Sequence, residues 1–343
     1  MRFGIHYRLW SRAWSDADLD LIPRARDLGY SAFEITVSNL AQINASAIRQ
    51  RAEAAGMEIV ATLSLAKDRA LATPDPAVRR QGIAFLGAAV ERVREMNCCL
   101  LVGMLYGTPG LFTGKGATAD EMRWVAEGLR QTAEFAKACG MTLALEPVNR
   151  YETYLLNTAA QAQALVEAIG AENVGLLLDT YHMNIEERGI PETLRRHRTH
   201  LRHLHLNESD RGLLGGGNVD WPGVFATLKE IQYAGIVSIE CFSFVSPEVP
   251  AITPVWRTLF PSPDELARSG LAFLSEGLGG LRQVWSQKSG THHYESMASA
   301  VIVIFTDDMD REDFVVQRRC TVENRTVARD RAVRAEWDQL LSD

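Results

Sequence analysis

Four ionisable residues stand out because each lies at the end of a run rich in apolar residues. Glu146 lies near the end of LALEPV, Asp179 closes VGLLLD, His205 falls near the end of LRHLHL, and Glu240 near the end of GIVSIE. A run such as VGLLLD, apolar without alternation, reads as a strand covered on both faces. Side chains at the ends of such strands are presented from a rigid, largely dry wall. Three carboxylates converging there would repel one another if left bare. A divalent cation removes the conflict. Oxygen-rich ligation with one histidine suits Mn2+, with Mg2+ or Co2+ as alternatives, and a ligand set without cysteine argues against structural zinc.

Those residues need a scaffold that brings four strand ends together. Short apolar runs alternate with helical patterns along the chain. The strand candidates are Arg2 to Tyr7, Ala32 to Val37, Glu58 to Leu65, Cys99 to Leu105, Thr142 to Val148, Val174 to Asp179, Leu201 to Leu206 and Ile236 to Phe242. Helical stretches follow them, several with legible ends. Ser15 with Asp18, Asn157 or Thr158, and Ser262 before Pro263 are start signals, while Gly56 and Gly170 are stops. Eight strand–helix repeats within residues 2 to 281 predict an α/β fold, a (β/α)8 TIM barrel with a C-terminal extension. In such a barrel the site lies at the C-terminal ends of the strands, where the four residues fall. A doubly wound sheet is the runner-up, but it would carry a Gly-rich phosphate turn after an early strand. The glycines Gly215 to Gly217 follow a late strand and read as a flexible active-site loop.

The barrel is complete by Leu281, so residues 1–281 read as the catalytic domain and 282–343 as an extension of unassigned role. The extension holds the adjacent His292 and His293, read as a solvent-exposed pair, and an apolar run from Ala300 to Phe305. Val333, Trp337, Leu340 and Leu341 share helical spacing, which predicts a terminal amphipathic helix.

Bulk properties narrow the partners. The net charge of −7 disfavours a nucleic-acid backbone, which needs clustered Lys and Arg. No apolar run is long enough to span a membrane, and the N-terminus lacks the pattern of a signal peptide. The five cysteines form no zinc or disulfide framework; they read as buried free thiols, which suits a cytoplasmic location.

Longer motifs carry a family likeness. EPVNRYE from Glu146 to Glu152, Leu156-Asn157-Thr158, LDTYHMNIEE from Leu178 to Glu187, HLHLNESDR from His203 to Arg211, and IECF from Ile239 to Phe242 occur in that order. Together they strongly resemble the ketose 3-epimerases of the D-tagatose and D-allulose (psicose) type, within the xylose isomerase-like barrel superfamily. The resemblance implies that Glu146, Asp179, His205 and Glu240 are metal ligands, and that Glu146 and Glu240 double as the acid/base pair. It implies that Glu152, His182 and Arg211 hold the sugar's carbonyl end, with His6 near its far end. It also implies C3 inversion of a free ketose through a metal-stabilised enediolate, in a homo-oligomer, dimer or tetramer. His6, Asn207 and Cys241 depart from the familiar pattern, which bears on substrate preference. Trp10, Trp14, Tyr106, Leu111 and Phe112 are candidates for an apolar far wall. The alternatives are an aldose–ketose isomerase, an epimerase of a sugar phosphate or sugar acid, an abasic-site endonuclease, which would need more His and Asp ligands and a basic face, and a non-catalytic binding module.

Overall fold

The computed structural model describes residues 1–242, 257–279, 282–284, 292–295, 302–305, 337 and 339. Eight parallel strands close into a barrel in sequence order: β1 (Arg2–His6), β2 (Ala32–Thr36), β3 (Glu58–Thr62), β4 (Leu100–Gly103), β5 (Thr142–Leu145), β6 (Val174–Asp179), β7 (Leu201–His205) and β8 (Ile236–Ile239). β1 pairs with both β2 and β8, which completes the ring. The expected strands are all present, each ending at or up to three residues before its predicted end.

Helices cover the outside: α1 (Leu21–Asp27), α2 (Ala45–Ala55), α3 (Pro76–Glu95), α4 (Ala119–Ala138), α5 (Ala159–Ile169), α6 (Thr180–Glu186), α7 (Ile190–Arg196), α8 (Trp221–Glu230) and α9 (Pro263–Leu278). Their ends follow local chemistry. Thr158 caps α5 by accepting from the Gln161 amide, and the Gln161 side chain accepts in return from the Thr158 amide, while Gly170 ends the helix with φ of 70°. Ser262 caps α9, with Pro263 in its first turn. The short α6 has no counterpart in the sequence reading. It starts on Asp179 itself, whose carboxylate accepts from the Tyr181 amide at 2.8 Å, so one residue both ends β6 and caps the next helix.

The core fills the barrel and the layer between strands and helices. Every residue of β6 is buried, as a strand covered on both faces requires. Beyond the barrel, β9 (Arg282–Val284), β10 (His292–Glu295) and β11 (Ile302–Phe305) form an antiparallel sheet in the order β11-β10-β9. The side chains of His292 and His293, the boundary at Leu281, and Val333, Leu340 and Leu341 lie outside the described residues. Trp337 is described: it is buried, and it stacks on Phe135 of α4 at 4.6 Å between ring centroids. Its indole occupies the space where a side chain on Gly87 of α3 would stand.

Cys98 and Cys241 are free thiols, and Cys139 forms no disulfide. Cys99 is disulfide-bonded, contrary to the expectation of free thiols. Adjacent cysteines in sequence thus have different fates, because residues next to each other on an extended chain face opposite ways.

Gly103 ends β4 at the mouth of the barrel with φ of 110°, and a Cβ there would come within 2.7 Å of the Leu63 carbonyl oxygen. Both facts exclude a side chain. Gly103→Ala is expected to lower stability by about 1–3 kcal/mol, read as a lower midpoint of urea denaturation with unchanged slope.

Candidate active site

The four strand-end residues do converge. Glu146, Asp179, His205 and Glu240 each offer one donor atom, and these atoms all lie within 4.8 Å of one another. His205 Nδ1 is 3.4 Å from Glu240, 3.7 Å from Glu146 and 4.0 Å from Asp179. Both His205 Nδ1 and Glu146 Oε1 are buried without a hydrogen-bond partner. Buried polar atoms without partners are rare, and these two point at each other's site. Three carboxylates and one imidazole with unfilled lone pairs match the donor set of a hard or borderline divalent cation.

A second set of polar side chains surrounds the first. Arg211 sits 3.1 Å from both Asp179 and Glu240. Its guanidinium lies between the rings of Tyr181, at 4.5 Å, and Phe242, at 4.6 Å. Arg211 adopts φ of 58°, a left-handed conformation unusual for a side-chain-bearing residue and concentrated at functional sites. Its Nε and one terminal nitrogen are buried and unpartnered. His182 Nδ1 accepts from the Asn149 backbone amide at 3.1 Å, so the neutral ring carries its proton on Nε2, which faces Glu146 at 3.7 Å. Asn149 also donates to Glu152 at 2.9 Å. Asn207 ties two ligand candidates together: its amide donates to Asp179 at 2.9 Å and its carbonyl oxygen accepts from the Glu240 amide at 2.7 Å.

Charge in this dry space is unevenly held. Burial raises the Glu146 carboxyl to about 7, despite the opposing pull of His205. Burial raises Glu152 to about 7 as well, against the attraction of Arg211. Glu240 is partly buried, which would raise its carboxyl too, but Arg211 and His205 outweigh that and hold it well below the usual carboxylate range. Burial, with Arg211 adding to it, keeps His182 neutral.

The cleft above these residues encloses about 260 Å³ and is lined by Glu146, Glu152, His182, Arg211 and Glu240, with Arg8, Thr36, Thr62 and Ser64 among its other walls. Three expectations need correcting here. His6 does not line the cleft: it is fully buried beneath it, and its Nε2 lies 3.2 Å from the Thr36 hydroxyl. The expected apolar wall of aromatic residues is likewise absent from the lining. Trp14 packs edge-on against Tyr7 and Phe33 in the core, Trp10 stacks on Phe33, and Phe112 is exposed. Tyr106 stands behind the site, donating to the Glu146 carbonyl at 2.8 Å. Nor is the Gly215–Gly217 segment a free loop over the cleft. The Gly215 and Val219 amides and the Trp221 indole all donate to Glu208, which is fully buried.

Residues 22–276 match the model of the xylose isomerase-like TIM barrel family. The chain is 33% identical over 294 residues to an L-ribulose 3-epimerase of Mesorhizobium japonicum, covering 85% of this chain and 99% of that one. It belongs to the ketose 3-epimerases. A D-psicose 3-epimerase of Agrobacterium fabrum is 32% identical, with 82% of this chain and 100% of that one aligned. The solved D-psicose 3-epimerase of Clostridium cellulolyticum H10, crystallised with D-tagatose, superposes with a TM-score of 0.76 at 30% identity, covering 81% of this chain and 99% of that one. A ketose 3-epimerase is an isomerase acting on carbohydrates, and the architecture and the acidic cluster described above fit that class.

Metal uptake by this ketose 3-epimerase should depend on pH in a set direction. Glu146 is protonated below about 7 in the metal-free protein, and a ligand must lose its proton to bind. Affinity for Mn2+ is expected to fall by about tenfold or more per pH unit below that point, because His205, whose proton Glu34 and Glu240 favour against the effect of burial, must give up a proton as well. Calorimetric titrations in two buffers of different ionisation enthalpy should show proton release on binding; pH-independent affinity contradicts the ligand role of Glu146.

Proposed function

We propose that this protein inverts C3 of a free ketose, of the D-fructose/D-allulose, D-tagatose/D-sorbose or L-ribulose/L-xylulose type, with Mn2+ as its ion. The carrying observation is the convergence of Glu146, Asp179, His205 and Glu240 from four consecutive strands, with the donor groups of His182 and Arg211 beside them. A divalent cation held by those four side chains supplies Lewis acidity toward the sugar's oxygens.

The protein's own residues account for the remaining needs. The C3 proton of a ketose is weakly acidic, so a positioned base must take it and a positioned acid must return one on the other face. Glu146 and Glu240 serve as that pair. Their environments already push their proton affinities apart, which is the signature of an acid and a base sharing a site. As the proton leaves C3, negative charge grows on O2. The unpartnered nitrogens of Arg211 and the Nε2–H of His182 are donors held ready for it, and they need no reorganisation during the reaction. Glu152, held by Asn149, orients hydroxyls near the carbonyl end. Thr36, Thr62 and Ser64 meet the rest of the sugar, while His6 orders the two threonines from below. We place the enzyme in the cytoplasm as a dimer or tetramer. Residues 1–281 are read as the catalytic unit. Among the described residues no helix is long and apolar enough to cross a membrane.

A second reading, an epimerase of a sugar acid or sugar phosphate, is favoured by Arg8. It lines the cleft and forms no ion pair among the described residues. A panel of free ketoses, with a keto acid and a ketose phosphate added, incubated with Mn2+ in deuterated water and read by NMR, separates the cases. The proposal expects deuterium at C3 of a free ketose. Label at C1 indicates aldose–ketose isomerisation, and turnover confined to anionic sugars supports the second reading.

Glu146→Gln and Glu240→Gln should each lower C3 exchange by about 100-fold or more without loss of fold by circular dichroism. Exhaustive chelation should abolish activity, and Mn2+ should restore it. Full exchange in either variant refutes the two-carboxylate scheme.

A further inference from the structure

A carboxylate that the mechanism leaves unused lies beneath the site. Glu34, in the middle of β2, is fully buried and points across the barrel interior to β7. One of its oxygens lies 2.8 Å from His205 Nε2, and the other lies 3.0 Å from His203 Nε2. These two rings meet edge to face at 5.2 Å. No Lys or Arg among the described residues pairs with Glu34, so the two imidazoles are its only ionic partners. A charged group buried this completely survives only if its lone pairs are engaged, and both histidines therefore donate N–H to it.

From this arrangement we infer that Glu34 is the positioning residue of the metal site: it fixes His205 as the Nε2–H tautomer, so that the bare Nδ1 faces Glu146, Asp179 and Glu240. The inference rests on the reading of His205 as a metal ligand. An imidazole can present either nitrogen, and the partner of the far nitrogen decides which. Here that partner is anionic and cannot donate, so the Nε2 proton is required. The negative charge also strengthens the opposite nitrogen as a donor. His203 acts one step further out. By engaging the second oxygen, it stops the Glu34 carboxylate from turning away from His205.

The same three side chains could be read as a second metal site, since their donor atoms lie close together. The geometry favours the clamp. A second cation there would need Nε2 of His205 bare while Nδ1 serves the first, which demands an imidazolate. It would also find only three protein donors among the described residues, in a place closed to solvent, because Glu34, His203 and His205 are buried to 1% exposure or less.

Two measurements without any sugar test this. In wild-type protein labelled with 15N and loaded with 113Cd2+, the His205 ring should show cadmium coupling to Nδ1 and a proton on Nε2, with one cadmium per chain. Coupling through Nε2, or two cadmium ions per chain, overturns the inference, and this experiment requires no variant to fold. In Glu34→Gln the amide must turn a donor toward one of the two histidines, so the tautomer is no longer imposed. Chelator competition should then show Mn2+ binding weakened by about 10–100-fold, with the circular dichroism spectrum unchanged. A folded Glu34→Gln protein with wild-type affinity also overturns it. Because metal binding is read in the absence of substrate, a protein inactive on every ketose but dependent on Glu34 for its metal would sink the epimerase reading and leave this one standing.

Discussion

Negative charge held out of water governs the design of this barrel. Glu34, Glu146, Asp179 and Glu240 are each at least mostly buried, and Glu152 joins them. Among the described residues, the only guanidinium embedded in that acidic group is that of Arg211. Repulsion within such a group grows as the local dielectric falls. The protein answers it in three ways. Arg211 neutralises one flank, burial leaves Glu146 and Glu152 protonated up to about 7, and the two histidines of β7 each engage one oxygen of Glu34. What remains unbalanced is concentrated where an ion of double charge fits.

Division of labour follows the order of strands around the barrel. The C-terminal ends of β5 to β8, or the residue directly after them, contribute the three carboxylates and His205, and the segments that follow β5, β6 and β7 contribute Glu152, His182 and Arg211. β1 to β3 and their exits contribute hydroxyls and the Arg8 guanidinium, which forms no ion pair among the described residues, to the cleft. On the proposed reading, the acid/base pair and the groups at the carbonyl end share one arc of the ring, and the other arc meets the rest of the sugar. Glu34 is the exception, a β2 residue that reaches through the interior to serve the opposite arc.

The quartet was legible in the sequence for a physical reason. A charged residue ending an apolar strand has few structural excuses, and four in succession have fewer. The barrel was legible because each repeat carries its own punctuation, such as the reciprocal cap of Thr158 and Gln161 or the stop at Gly170. Other features were not. Glu34 lies in the middle of AFEIT rather than at its end, so only a carboxylate out of place among apolar neighbours marked it. The aromatic residues Trp10 and Trp14 suit a sugar pocket or a core equally by type, and only packing assigns them to the core. The tie between Glu208 and the glycine segment joins residues whose spacing follows no periodic rule.

The seating of Trp337 has a consequence for the barrel's outer surface. Gly87 lies in the interior of α3, where glycine is a poor helix former, and the indole fills the hollow that its missing side chain leaves against Phe135. The relatives align over nearly their whole length while leaving about a fifth of this chain unmatched. Cut back to their size, this barrel would carry an empty notch on its flank the width of one indole, with an aromatic floor open to water. Trp337 is therefore a plug as much as an anchor.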